Sequence, residues 1–165
     1  GNAVLFGAFQ FMHDTPDSLV FLRDLIEPMR CGSSLVELGK DVVADKYKGA
    51  DWHCVRGDGP TDLVFQTSSS GQVENALVTF RNGEDYYELM YKDGRFSTGR
   101  SANSPNSSRT DGQMMNTHYD GLDQDVVKFA STIMLGAPKP IYRKISGMLK
   151  ELLKSSGVMA KKGAA

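Results

Sequence analysis

Residues 73–96 read VENALVTF, RNGE, DYYELMY and KDGRF in succession. Two runs rich in β-branched and aromatic residues meet at Asn82-Gly83, and a second turn follows at Asp93-Gly94. Asn-Gly between such runs is a strong short-range hairpin signal, because a type I′ turn needs positive φ at both central residues. The stretch therefore predicts a three-stranded antiparallel meander. A two-residue loop at Asn82-Gly83 sets Arg81 opposite Glu84, Val78 opposite Tyr87 and Ala76 opposite Leu89. Side chains alternate along a strand. One face then carries Ala76, Val78, Phe80, Tyr87, Leu89 and Tyr91. The other carries Asn75, Thr79, Arg81, Glu84, Tyr86 and Glu88. The second turn adds an aromatic cross-strand pair, Tyr91 with Phe96. One apolar and one polar face predict a sheet that is covered on one side, or that meets a partner on the other.

Working outward, residues 51–56 (DWHCVR) and 62–67 (DLVFQT) read as two further strands. Gly57-Asp58-Gly59-Pro60 is a tight turn between them, and 68–71 (SSSG) leads into the meander. Upstream, Thr15-Pro16-Asp17 starts a helix with a cap, a proline at the first position and an acid in the first turn. Leu19, Leu22, Leu25, Ile26 and Met29 follow at helical spacing, and Cys31-Gly32 ends it. Ser33 or Ser34 is expected to cap a second helix with Leu35, Leu38, Val42 and Tyr47 on one side, closed by Lys48-Gly49.

Downstream, a Ser/Asn/Gly-rich loop spans about 99–117. A third helix is expected from about Gly121 to Leu135, with Asp120, Asp123 and Asp125 in its first turn. The last runs from about Pro140 to Ser156. Its apolar face is Ile141, Ile145, Met148, Leu149, Leu152 and Leu153. Residues 1–12 read as an apolar arm, and 157–165 as a frayed basic tail.

The expected fold is thus one α+β domain. A mostly antiparallel sheet of about five strands (51–98) is flanked by two N-terminal and two C-terminal helices. At 165 residues, 40% hydrophobic and 24% charged, the chain suffices for one soluble domain with a real core. No stretch reaches the ~18 apolar residues of a membrane span. A start at Gly1 is read as a processed or trimmed N-terminus. The net charge of −1 hides an asymmetry. From Pro138 onward seven Lys or Arg face one acid, Glu151, giving +6 and leaving the preceding 137 residues at −7.

Several residues suggest chemistry. A cysteine hydrolase or transferase needs a thiolate beside an imidazole. Cys31 or Cys54 with His118, oriented by Asp120, would supply one, and the competing reading is a buried thiol and a loop histidine. Residues 118–125 have the His–Gly–Asp spacing of the D-Ala-D-Ala peptidase zinc site, but no histidine follows His118, so the ligand set is incomplete and no metal is expected. His53 and Cys54 point to opposite faces of a strand and cannot easily share a metal. Arg56-Gly57-Asp58 matches an integrin-binding tripeptide, yet the turn explains its Gly and Asp. No glycine pattern of the phosphate-binding kind occurs, and no cofactor is expected.

The last helix carries Lys139, Arg143, Lys144, Lys150 and Lys154 on its polar side. A basic amphipathic helix can dock on an acidic protein or lie on an anionic membrane through 138–162. The acidic body disfavours nucleic acid. These features, with Tyr86 on the polar sheet face, favour a non-catalytic binding or accessory protein acting by protein–protein contact. The enzyme is the alternative.

Overall fold

The computed structural model describes residues 16–101 and 122–156, with side-chain surroundings given from residue 25. Its elements are α1 (Pro16–Ser33), β1 (Val36–Glu37), a short 3-10 turn (Asp45–Tyr47), β2 (Trp52–Gly57), β3 (Thr61–Thr67), β4 (Val73–Asn82), β5 (Asp85–Lys92), β6 (Arg95–Ser101), α2 (Gln124–Gly136) and α3 (Lys139–Ser155). The six strands form one antiparallel sheet in sequence order, β1 to β6. The α+β class therefore holds, with β1 as an unforeseen sixth strand. The arm (1–12), residues 102–117 of the loop, His118, Asp120 and the tail beyond 156 lie outside the described residues. Gly99 to Ser101, expected in the loop, belong to β6.

The meander forms, with one correction to its first turn. Asn82 pairs with Asp85, Arg81 with Tyr86 and Phe80 with Tyr87, so the loop is Gly83-Glu84. Only Gly83 takes positive φ there, 67°. That suits a II′-like turn, which wants Gly at its first central position. The expected Arg81–Glu84 pair is lost, and Arg81 Nε donates instead to the Gly83 carbonyl at 2.9 Å. The slip is two residues, so every side chain keeps its face. The second turn is as expected: Asp93 and Gly94 both have positive φ, 52° and 73°, and Tyr91 pairs with Phe96, ring centroids 4.6 Å apart.

The apolar face packs under the helices. Leu63, Phe65, Ala76, Val78, Phe80 and Leu89 join Val126, Ala130, Ile133, Ile145, Leu149 and Leu152 in one core. Phe80 stacks on Phe129 of α2 at 4.7 Å. The start of α2 is fixed by Asp123, the acid that serves as its cap, whose carboxylate accepts from the Asp125 and Val126 amides. The Asp123 amide donates to Thr98 Oγ1 at 3.0 Å, which ties α2 to β6.

Residues 33–49 do not form the expected second helix. Ser33 and Ser34 donate their hydroxyls to the Arg30 and Cys31 carbonyls, at 2.9 and 2.8 Å. They finish α1 and do not cap a new helix. Leu35 is buried, but Val42 is exposed, so the apolar positions share no covered face. The loop is held by Lys40, whose ammonium donates to the carbonyls of Tyr47, Gly49 and Trp52.

The helices α1 and α2 cross backbone to backbone. A Cβ on Gly136 would stand 2.8 Å from the Met29 carbonyl oxygen, and one on Gly32 would collide with the Ile133 carbonyl. Gly32 thus does more than end a helix; its missing side chain sets how closely α1 lies on α2.

Candidate functional site

Helix α3 separates its two faces sharply. Ile141, Ile145, Met148, Leu149 and Leu152 are all 5% exposed or less, and Leu153 is half-buried. At about 100° per residue, Lys139, Arg143, Lys150 and Lys154 share a sector roughly 60° wide on the opposite side. All four are exposed. Lys154 pairs with Glu151 at 2.7 Å. The helix has spent its apolar stripe on its own core, so it offers a membrane or an acidic surface only its charges.

Lys144 departs from that stripe. Its Nζ donates to Glu37 Oε2 and Oε1 at 3.1 and 3.3 Å and lies 3.2 Å from His53 Nδ1. His53 Nδ1 lies 2.5 Å from Glu37 Oε1, so an Nδ1–H donates to the carboxylate. The imidazole stacks on Phe65 at 4.7 Å. Burial works against the Glu37 charge, but the hydrogen bonds from His53 and Lys144 outweigh it and hold the carboxyl below its usual range. Lys144 is therefore a tie between α3 and the β1–β2 edge. Tyr86 sits half-buried on the sheet face away from the helices, across from Arg81 and Ser101.

The two cysteines are buried, unbridged and on opposite sides of the sheet. Cys31 belongs to the core, where a Cβ on Gly59 would approach its sulfur to 3.1 Å. Cys54 lies on the other face, and burial pushes its thiol above the usual range. A thiol so placed is a poor nucleophile. Its expected partners, His118 and Asp120, fall outside the described residues. His53 and Cys54 do face opposite ways, His53 toward Phe65 under α3. Among the described residues no group of three His, Cys, Asp or Glu side chains is arranged to hold a metal. The Arg56-Gly57-Asp58 charges are used internally: Arg56 bonds Asp62 at 2.7 Å, and Asp58 meets Arg30 at 3.2 Å while its amide donates to Ser34 Oγ.

The surface that sequence reading missed is on α1. The apolar spacing of this helix runs Leu19, Leu22, Leu25, Ile26 and Met29, and the three of these with described side chains, Leu25, Ile26 and Met29, are 42%, 56% and 47% exposed. At the end of α2, Leu135 is 52% exposed, next to the Gly136 that touches Met29. Periodicity reports that a helix has an apolar face, not what covers it. The signal available was Gly32, a residue that lets α1 approach α2 by its backbone and so frees the apolar side chains to turn elsewhere. Among the described residues no helix is long and apolar enough to cross a membrane. No protein-family model, curated protein or solved structure matches the chain.

Proposed function

We propose that the chain is a non-catalytic binding or accessory protein, a subunit of a larger assembly that works by protein–protein contact. The observation that carries this reading is the exposure of Leu25, Ile26 and Met29 on α1, with Leu135 of α2 exposed one residue from the Gly136 that meets Met29. Single exposed apolar residues are ordinary, but a group of large ones on adjoining helices marks a contact surface. Covering such a side chain fully is worth about 1.5–3 kcal/mol, so completing the burial of four supplies a core for an interface. The basic stripe of α3 would act at a distance and outside the contact itself, since exposed charge steers an acidic partner and raises the on-rate more than the affinity. The two buried thiols lend the enzyme alternative little support.

The test places a photo-crosslinking residue at position 26 and, as control, at position 146 of α3, in the full chain in extracts of its source. The reading expects a discrete protein adduct from position 26 that is absent from position 146 and lost when Met29→Asp is added. Equal labelling at both positions, or an adduct indifferent to Met29→Asp, would contradict it.

A further inference from the structure

The sheet face turned away from the helices is ordered in rows. The register aligns Cys54, Val64, Leu77, Met90 and Ser97 across β2 to β6. Four of the five are apolar, and Val64, Leu77 and Met90 are half-buried. The next row, toward the β5–β6 turn, holds Gln66, Asn75, Lys92 and Arg95. Gln66 and Asn75 satisfy each other at 2.8 Å, and Gln66 donates to Asp51 at 2.5 Å.

That leaves Lys92 directly opposite Arg95, two cations on one face with no ion pair among the described residues. Like charges directly opposite across a strand pair are destabilising. They flank an open cavity of about 360 Å³ lined by Met90, Lys92, Asp93, Arg95, Phe96 and Ser97. Even with Asp93 counted, the lining carries a net positive charge. The volume is at the small end of ligand sites, enough for a head group and the start of a chain.

We infer that this end of the sheet binds an anionic amphiphile, a carboxylate or phosphate head held between Lys92 and Arg95 with its apolar chain laid along Met90, Leu77 and Val64. An anion between the two cations would remove the repulsion that the bare pair carries. Strands about 4.8 Å apart make the half-buried row from Met90 to Val64 about 10 Å long, enough for the first part of a medium-length acyl chain. The apolar residues in the row favour an occupant with a chain over a simple inorganic anion, and the paired cations favour a charged head over a neutral alkane chain. This site is separate from the α1–α2 surface, so either reading stands or falls alone.

Isothermal titration of the full chain with dodecanoate, dodecanol and acetate tests it. Dodecanoate should bind at least about tenfold more tightly than either of the others. Lys92→Glu with Arg95→Glu should weaken it by about tenfold or more. Met90→Asp should do the same by breaking the apolar row, with the far-UV circular dichroism spectrum of each variant confirming its fold. Lys92→Gln with Arg95→Gln serves if the double reversal fails to fold. Dodecanoate binding no tighter than dodecanol, or unchanged affinity in the folded charge variants, would overturn the inference. Co-sedimentation with vesicles of anionic phospholipid separates the sources: charge-dependent pelleting assigns a membrane lipid, and dodecanoate binding without pelleting assigns a free acid.

Discussion

Two helices of this chain carry the same apolar spacing and use it in opposite ways. On α3, Ile141, Ile145, Met148, Leu149 and Leu152 are sealed into the core, and the cations face water. On α1, Leu25, Ile26 and Met29, the residues of the stripe with described side chains, are each about half exposed. The difference comes from how each helix meets its neighbours. Helix α3 lies on the sheet with side chains interdigitated, whereas α1 touches α2 through Gly32 and Gly136, backbone on backbone. A helix held by its glycines can afford to present its large side chains to something else.

The sharpest way to break this contrast is to truncate equivalent side chains on the two helices. Ile145→Ala should cost about 3 kcal/mol, since it empties a fully buried position. Ile26→Ala should stay within about 0.5 kcal/mol in the isolated chain. Urea unfolding measures both, and comparable losses would mean that α1 is a core helix after all. Next in size is the crossing. Gly32→Ala forces a methyl into the Ile133 carbonyl and should destabilise by about 2–3 kcal/mol, although alanine favours helix. A neutral or stabilising result would show that α1 does not depend on the close approach.

The smallest effect concerns the tie that fixes α3 at the sheet edge. The folded state holds Glu37 below the usual carboxylate range, which is near 4.3 in an unfolded chain. The stability this supplies is present above that value and is lost as pH falls through the lower folded one. Both Lys144 and Glu37 are substantially exposed, so the contribution at neutral pH should be under about 1 kcal/mol. Glu37→Gln should flatten that part of the acid limb of the stability curve. Parallel acid limbs for wild type and variant would mean that the carboxylate adds nothing.

The sheet was legible where local chemistry decides it. The runs at 73–80 and 85–91 alternate cleanly, and Asp93-Gly94 has the turn its residues ask for. Asn82-Gly83 misled by one position because Gly alone satisfies the positive φ required, leaving Asn82 free to pair with Asp85. Residues 33–49 misled because Ser33 and Ser34 satisfy two orphan carbonyls of the helix behind them, a choice invisible to apolar spacing. The candidate contact surfaces were less legible still. Lys139, Arg143, Lys150 and Lys154 were found by periodicity, but Lys144 shares their chemistry and serves a different role, because Glu37 sits 107 positions away in sequence and next to it in space. The Lys92–Arg95 opposition follows from the Asp93-Gly94 turn and was readable, but the apolar row and the cavity beside it needed the whole sheet.

The measurement that bears most directly on the contrast between the helices is photo-crosslinking from position 26 against position 146. A partner adduct from α1 alone, abolished by Met29→Asp while urea stability is unchanged, is the expected result. Adducts from neither position, with Met29→Asp unfolding the chain, would contradict the account and return α1 to the core.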